Sequence, residues 1–94
     1  MLKKLDPLLH SELRLAIMSL LISVNKADFT YLKEQTESTA GNLSVQITKL
    51  EEAGYVSVKK SFKGKMPQTT CIITQKGIDA FEKYIDDLKS YLKI

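Results

Sequence analysis

Leu13, Ile17, Leu20, Leu21 and Val24 recur at the three- and four-residue spacing of one helix face, which predicts a first helix from an Asp6–Pro7 entry to about Val24, with Asn25 as its stop. Phe29 and Leu32, with Thr30 as cap, predict a short second helix to about Gln35. Ser38 or Thr39 caps a third, whose stripe of Leu43, Ile47 and Leu50 ends at Gly54. After Gly54 the period drops to two. Val56, Val58 and Phe62 share one strand face and Ser57, Lys59, Ser61 and Lys63 the other. A return strand over 68–74 brings Cys71 and Ile73 inward, and Lys63-Gly64-Lys65-Met66-Pro67 supplies the glycine and proline of a turn. Thr74 then caps a last helix to about Leu92, along which Ile78, Phe81, Ile85, Leu88 and Leu92 are spaced alternately by three and four. The expected order is three helices, a β-hairpin and a long helix, a mainly α fold in a single domain over residues 1–94.

Charge sharpens this picture through its placement. The net charge is only +3, but none of the 11 acidic residues falls between Val56 and Ile78, where Lys59, Lys60, Lys63, Lys65 and Lys76 lie. The hairpin is thus a basic patch on a nearly neutral domain, which favours a polyanionic partner. Lysines along a hairpin also protect a strand edge from aggregation, which is the purely structural account of the same residues.

A short helix, a polar turn, a second helix and then a basic hairpin form the winged helix-turn-helix order. The segments LSVQITKLEEAGYV (43–56), KKSFKGKMPQT (59–69) and ITQKGIDAF (73–81) resemble the small winged-helix regulators related to the MarR and ArsR groups, over nearly the whole chain. The resemblance implies a helix-turn-helix over about 29–53, a wing over about 55–74 and a dimerisation helix over about 75–92. It identifies the first segment with the recognition helix and the second with the wing. The cysteine, histidine and acidic clusters of the metal-sensing ArsR members are missing, so no metal or other cofactor is expected.

The residues support that assignment independently. With Leu43, Ile47 and Leu50 turned inward, the opposite side of the third helix carries Gly41, Asn42, Ser44, Val45, Thr48 and Lys49, with Gln46 on the flank and Glu51 and Glu52 only in the last turn. Amides suit adenine edges, Val45 a thymine methyl, and hydroxyls and lysine phosphates. The candidate DNA-binding set is therefore Thr39, Asn42, Ser44, Val45, Gln46, Thr48 and Lys49 on the helix, with Lys59, Lys60, Lys63 and Lys65 on the wing. Lys59 and Lys60 point to opposite strand faces, so at most one of them follows the backbone. The wing holds no arginine, the residue favoured in narrow grooves, and is expected to supply affinity rather than specificity.

Enzymatic chemistry is not expected, because His10 and Cys71 are the only residues of their types and no glycine-rich phosphate loop accompanies them. Cys71 is expected to be a buried structural thiol rather than a redox switch, His10 a surface or satisfied residue, and Asp86 with Asp87 a solvated helix face. No apolar run is long enough for a membrane span, and charged residues interrupt the first 21 positions where a signal peptide would be apolar, so a cytoplasmic protein with no membrane partner is expected. The leading function is a sequence-specific duplex-DNA-binding transcriptional regulator. The alternative is a winged-helix protein-interaction module without sequence-specific DNA binding. Ile85, Leu88, Tyr91 and Leu92 are the expected homodimer contacts, unless the stripe folds back on the first helix with help from Leu5, Leu8 and Leu9. The operator, the direction of regulation and any small-molecule effector are not specified by these residues.

Overall fold

In the computed structural model, which describes residues 1–92, the chain opens on a single turn rather than on the first helix. The Asp6 carboxylate accepts from the Leu8 amide at 2.9 Å and the Asp6 carbonyl from the His10 amide at 2.9 Å, so Asp6 and Pro7 open this turn and not, as expected, the first helix. Ser11 then takes an extended backbone, and the Arg14 Nε–H donates to the Leu8 carbonyl at 2.6 Å, closing off that turn. Helix α1 consequently runs Glu12–Val24, five residues later than the sequence pattern predicts, and buries Ile17, Met18 and Leu21.

Asn25 reverses the chain at φ 69° and ψ −39°, a positive-φ turn outside the left-handed helical region, and its amide donates to the Leu21 carbonyl at 2.7 Å. It leads into a strand that the hydrophobic pattern did not reveal, β1 (Lys26–Asp28). Helix α2 (Phe29–Thr36) is capped not by Thr30, which already lies in its first turn, but by Asp28, whose carboxylate accepts from the Tyr31 amide at 2.8 Å. Helix α3 (Ala40–Glu52) starts at the expected cap, Thr39, whose hydroxyl accepts from the Asn42 amide at 3.2 Å. It buries Leu43, Ile47 and Leu50 as its stripe requires. Its end is a Schellman motif: the Tyr55 amide donates to the Leu50 carbonyl and the Gly54 amide to the Glu51 carbonyl, with Gly54 at φ 80°.

Strands β2 (Val56–Lys63) and β3 (Met66–Ile73) form the hairpin, and β1 pairs with the other side of β3, giving a three-stranded antiparallel sheet ordered β1-β3-β2. The hairpin is therefore one part of a larger sheet. The register Lys63↔Met66 leaves only Gly64 and Lys65 in the turn, so β3 begins two residues earlier than expected. Gly64 at φ 65°, with no positive φ at Lys65, is the pattern of a type II′ turn, which suits the twist of a hairpin. Val56 is opposite Ile73 and Val58 opposite Cys71, so these residues close the sheet over the helices.

Thr74 joins the sheet to helix α4 (Gln75–Leu92). Its hydroxyl donates to the Gly54 carbonyl at 2.6 Å and accepts from the Gly77 amide at 3.0 Å, while its own amide donates to the Tyr55 carbonyl at 3.0 Å. Helix α4 turns Gly77, Tyr84 and Asp87 inward. Asp87 is thus not part of a solvated face: it is only 6% exposed and paired with Lys83, whereas Asp86 is exposed. The covering element is the N-terminal segment, where the Lys3 amide donates to Ser90 Oγ at 3.1 Å, Tyr91 Oη donates to the Lys3 carbonyl at 2.7 Å, and His10 Nδ1 lies 3.0 Å from Tyr84 Oη. This segment covers one side of α4 and leaves the apolar stripe partly bare. Ile78, Phe81 and Leu88 are half-buried, Ile85 is 36% exposed and Leu92 is 58% exposed.

Candidate nucleic-acid interface

Burial of one side of α3 fixes what the other side offers. Gly41, Asn42, Ser44, Val45, Thr48 and Lys49 are all exposed, and Val45 is open by 51% although it is apolar. No acidic side chain stands on this helix before Glu51. Thr39 is exposed but uses its hydroxyl as the cap. The Thr48 hydroxyl donates to the Ser44 carbonyl at 3.0 Å.

Gln46 differs from the rest of the set. It is half-buried, its Oε1 accepts from Arg14 Nη1 at 2.5 Å, and its Nε2 donates to Asn42 Oδ1 at 3.0 Å. One acceptor site and one donor site of this amide are thus occupied, so Gln46 ties Asn42 to Arg14 and is held in a fixed orientation. The Asn42 NH₂ remains the outward donor of the pair. Arg14, which the sequence pattern did not mark, anchors this chain from α1 through its second bond to the Leu8 carbonyl. Its signal in the sequence is that it is the one basic residue of a mostly apolar helix.

The wing stands beside this face. Between α3 and the sheet lies a groove of about 190 Å³ lined by Ser44, Thr48, Lys60 and Thr69 together with Phe29, Ile47, Glu51 and Val58. Because side chains alternate along a strand, Lys60 faces α3 while Lys59 and Lys63 face the other way. Lys59, Lys60, Lys63 and Lys65 are all exposed, and β2 is an edge of the sheet, so the lysines also keep that edge from pairing with another strand. Among the described residues, then, α3 up to Lys49 and the wing lysines form an acid-poor surface, bordered by Glu51 and Glu52 in the last turn of α3 and by Asp28, which accepts from Gln68 Nε2 at 3.4 Å beside the wing.

Elsewhere among the described residues no comparable cluster of side chains stands out. Cys71 is fully buried, and burial together with the Glu51 carboxylate pushes its pKa up to about 11, so at neutral pH it is a protonated thiol without nucleophilic character. The Tyr55 hydroxyl donates to Asp6 at 2.6 Å, and burial together with this bond and the carboxylate charge pushes it up to about 12. Among the described residues no three His, Cys, Asp or Glu side chains stand close enough to hold a metal ion, and no helix is long and apolar enough to cross a membrane.

Known proteins share this architecture. Residues 13–92 match the family described as the winged helix DNA-binding domain. An uncharacterised protein of Methanocaldococcus jannaschii is 42% identical over 80 residues, covering 84% of this chain and 86% of its own. The structure of a transcriptional regulator homologue from Pyrococcus horikoshii superposes with a TM-score of 0.86 at 30% identity, over 92% of this chain and 85% of that one. AbsC, a MarR family transcriptional regulator from Streptomyces coelicolor, shares the fold at a TM-score of 0.66 and 18% identity, over 84% of this chain and 56% of AbsC. With its helix-turn-helix, its basic hairpin and its long last helix all within the matched residues, the chain belongs to the winged helix DNA-binding domain family.

Proposed function

We propose that this chain is a sequence-specific transcriptional regulator that acts on duplex DNA in the cytoplasm, as a homodimer and without catalytic activity. The observation that carries the reading is the acid-free outward face of α3 standing next to the acid-free lysines of the wing. A helix fits the major groove only where hydrogen-bonding or small apolar groups face outward without a wall of carboxylates, and the first two-thirds of α3 meet that condition. In this reading Asn42, held by Gln46, and Val45 meet base edges. Thr39, Ser44, Thr48 and Lys49 lie against phosphates and the groove rim. Lys63 and Lys65, with Lys60 on the α3 side and Lys59 on the other, neutralise the backbone.

The bare part of α4 supports dimerisation. Its second half leaves Ile85 and Leu92 exposed and Leu88 only half-buried, and a second copy of the helix would supply the same stripe in return. Tyr91 is turned instead toward the chain's own Lys3 and serves the interface only through its ring. Two recognition helices related by a two-fold axis read half-sites one helical turn, or a multiple of it, apart, in a roughly palindromic operator.

Selection from a random duplex library, followed by titration of the recovered sequence, tests the reading, and recovery of no enriched sequence rejects it. Two substitutions then separate the roles of helix and wing. Asn42→Ala or Val45→Ala is expected to cost about 1–3 kcal/mol on the selected site and much less on random DNA, and equal losses on both would reject the base-reading assignment. Replacing Lys63 and Lys65 together by alanine is expected to weaken both kinds of DNA and to flatten the logarithmic salt dependence by about one to two units. Unchanged binding at every salt concentration would remove the wing from the interface.

A further inference from the structure

The wing carries a feature that phosphate binding does not use. Phe62 is 74% exposed and Met66 70% exposed, one on each strand within two residues of the turn. A solvated hairpin tip has no need of a large apolar pair, and lysines alone would serve a phosphate row. The register defines how the pair is held. Lys63 and Met66 close a two-residue turn and so exchange backbone hydrogen bonds, which makes the next pair, Phe62 and Pro67, a non-hydrogen-bonded one with its side chains close together. Pro67 therefore loses no hydrogen bond to β2, and β1, which ends at Asp28 opposite Thr70, does not reach it on the other side. Phe62 with Pro67 forms an apolar lip on the face of the wing that looks toward α3, and Met66 lies on the opposite face beside Lys63.

The surroundings identify the occupant. The exposed apolar pair is interleaved with Lys60, Lys63 and Lys65, no carboxylate occurs along the chain from Val56 to Ile78, and Asp28, which stands beside the β3 strand of the wing, is engaged by Gln68 Nε2 at 3.4 Å, so the local balance at the tip stays positive. A partner must therefore present apolar contact and dense negative charge within a few ångströms of each other. The minor groove of duplex DNA does so: two phosphate rows flank a slot about 6 Å wide whose walls are deoxyribose and whose floor is the edge of the base stack. Apolar wedges of phenylalanine, methionine and proline enter that groove and partially unstack a base step.

We propose that the wing tip is an apolar minor-groove wedge, in which Phe62, backed by Pro67, presses on a base step, Met66 lies against the facing sugar wall, and Lys63 and Lys65 hold the two phosphate rows. The proposal rests on the DNA-binding reading and adds a source of sequence preference to it. Deformable pyrimidine–purine steps accept a wedge at lower cost than stiff ones, so the wing discriminates by shape without an arginine.

The test uses the full chain and the duplex recovered by selection. Phe62→Ala and Met66→Ala remove side chains that lie outside the core, so circular dichroism should be unchanged. Together they are expected to weaken binding by roughly tenfold or more while leaving the salt slope as it is, because apolar contacts release no counterions. Phe62→Leu should restore most of the loss. Replacing guanine by inosine in the flank under the wing removes the amino group from the minor-groove floor. It should tighten binding by the wild-type chain severalfold and leave the double variant indifferent. A double variant that binds as tightly as wild type, a flattened salt slope, or an equal inosine effect in both proteins would each overturn the wedge while leaving DNA binding by α3 intact. A wild-type chain that binds no duplex at all would overturn the DNA-binding reading and the wedge with it. If the substitutions abolish self-association but not DNA binding, the tip is a protein contact and the proposal is wrong.

Discussion

Gly77→Ala is expected to cost about 3 kcal/mol of folding stability or more, and to lower the melting temperature by roughly 15 °C. In an exposed helix the same change would be favourable by about 1 kcal/mol, because alanine loses less backbone freedom on folding than glycine. Here sterics win. A Cβ on residue 77 would lie 2.1 Å from the Tyr55 carbonyl oxygen and 3.1 Å from Ile73 Cγ1. The first of these is backbone and cannot rotate aside. Relief requires α4 to move away from the sheet, and that movement breaks the Thr74 amide bond to the Tyr55 carbonyl and the Thr74 hydroxyl bond to the Gly54 carbonyl. Urea and thermal denaturation followed by circular dichroism measure the effect. Stability equal to or above wild type would show that the α4–sheet junction gives way at little cost.

The second large effect concerns assembly. Sedimentation equilibrium at micromolar concentration should give twice the 10.6 kDa chain mass for the wild type and the single-chain mass for the Ile85→Asp, Leu88→Asp double variant. Ile85 is already 36% exposed and Leu88 half-buried against the core, so circular dichroism must show the double variant folded, and Ile85→Asp alone should give the same single-chain mass, because a carboxylate cannot be desolvated between two helices. Losing the dimer separates the two half-site contacts, and affinity for a palindromic duplex should fall about a hundredfold or more while affinity for an isolated half-site stays the same. A wild-type chain that sediments as a monomer while binding its duplex tightly would refute the α4 interface.

Much of the frame was legible because it rests on local signals. The stripe of Leu43, Ile47 and Leu50, the Thr39 cap and Gly54 all act within a few residues of one another, and they delimit α3 correctly. The alternation from Val56 onward marks β2, and Cys71 lies inward as its parity requires. What escaped depends on contacts between distant segments. Strand β1 has three residues with one small apolar side chain, Ala27, and exists because Cys71 is opposite it, 44 positions along the chain. Asp87 reads as solvated until the N-terminal segment is laid over α4. The late start of α1 and the fixed position of Gln46 both turn on Arg14, whose two partners lie on different elements. The surface of the site was thus readable from helical periodicity and charge, whereas the hydrogen-bond support beneath it was not.

Strand β1 stops opposite Thr70, so the sheet has three strands at its base and only two in the outer half of the wing. Past Lys59 and Thr70 the hairpin continues for about 13 Å, at 3.3 Å per residue, with no further strand on either edge, and Gln68 reaches Asp28 only through its side chain. Its ladder bonds there are the least protected of the sheet, and local opening should begin at the tip and halt at the three-stranded base. A duplex that engages the tip meets a ribbon whose conformational freedom it must suppress, and part of the contact energy goes into that ordering. The base, clamped by β1, spares α3 the same cost, so in the proposed complex helix and wing would meet the duplex with unequal entropic penalties.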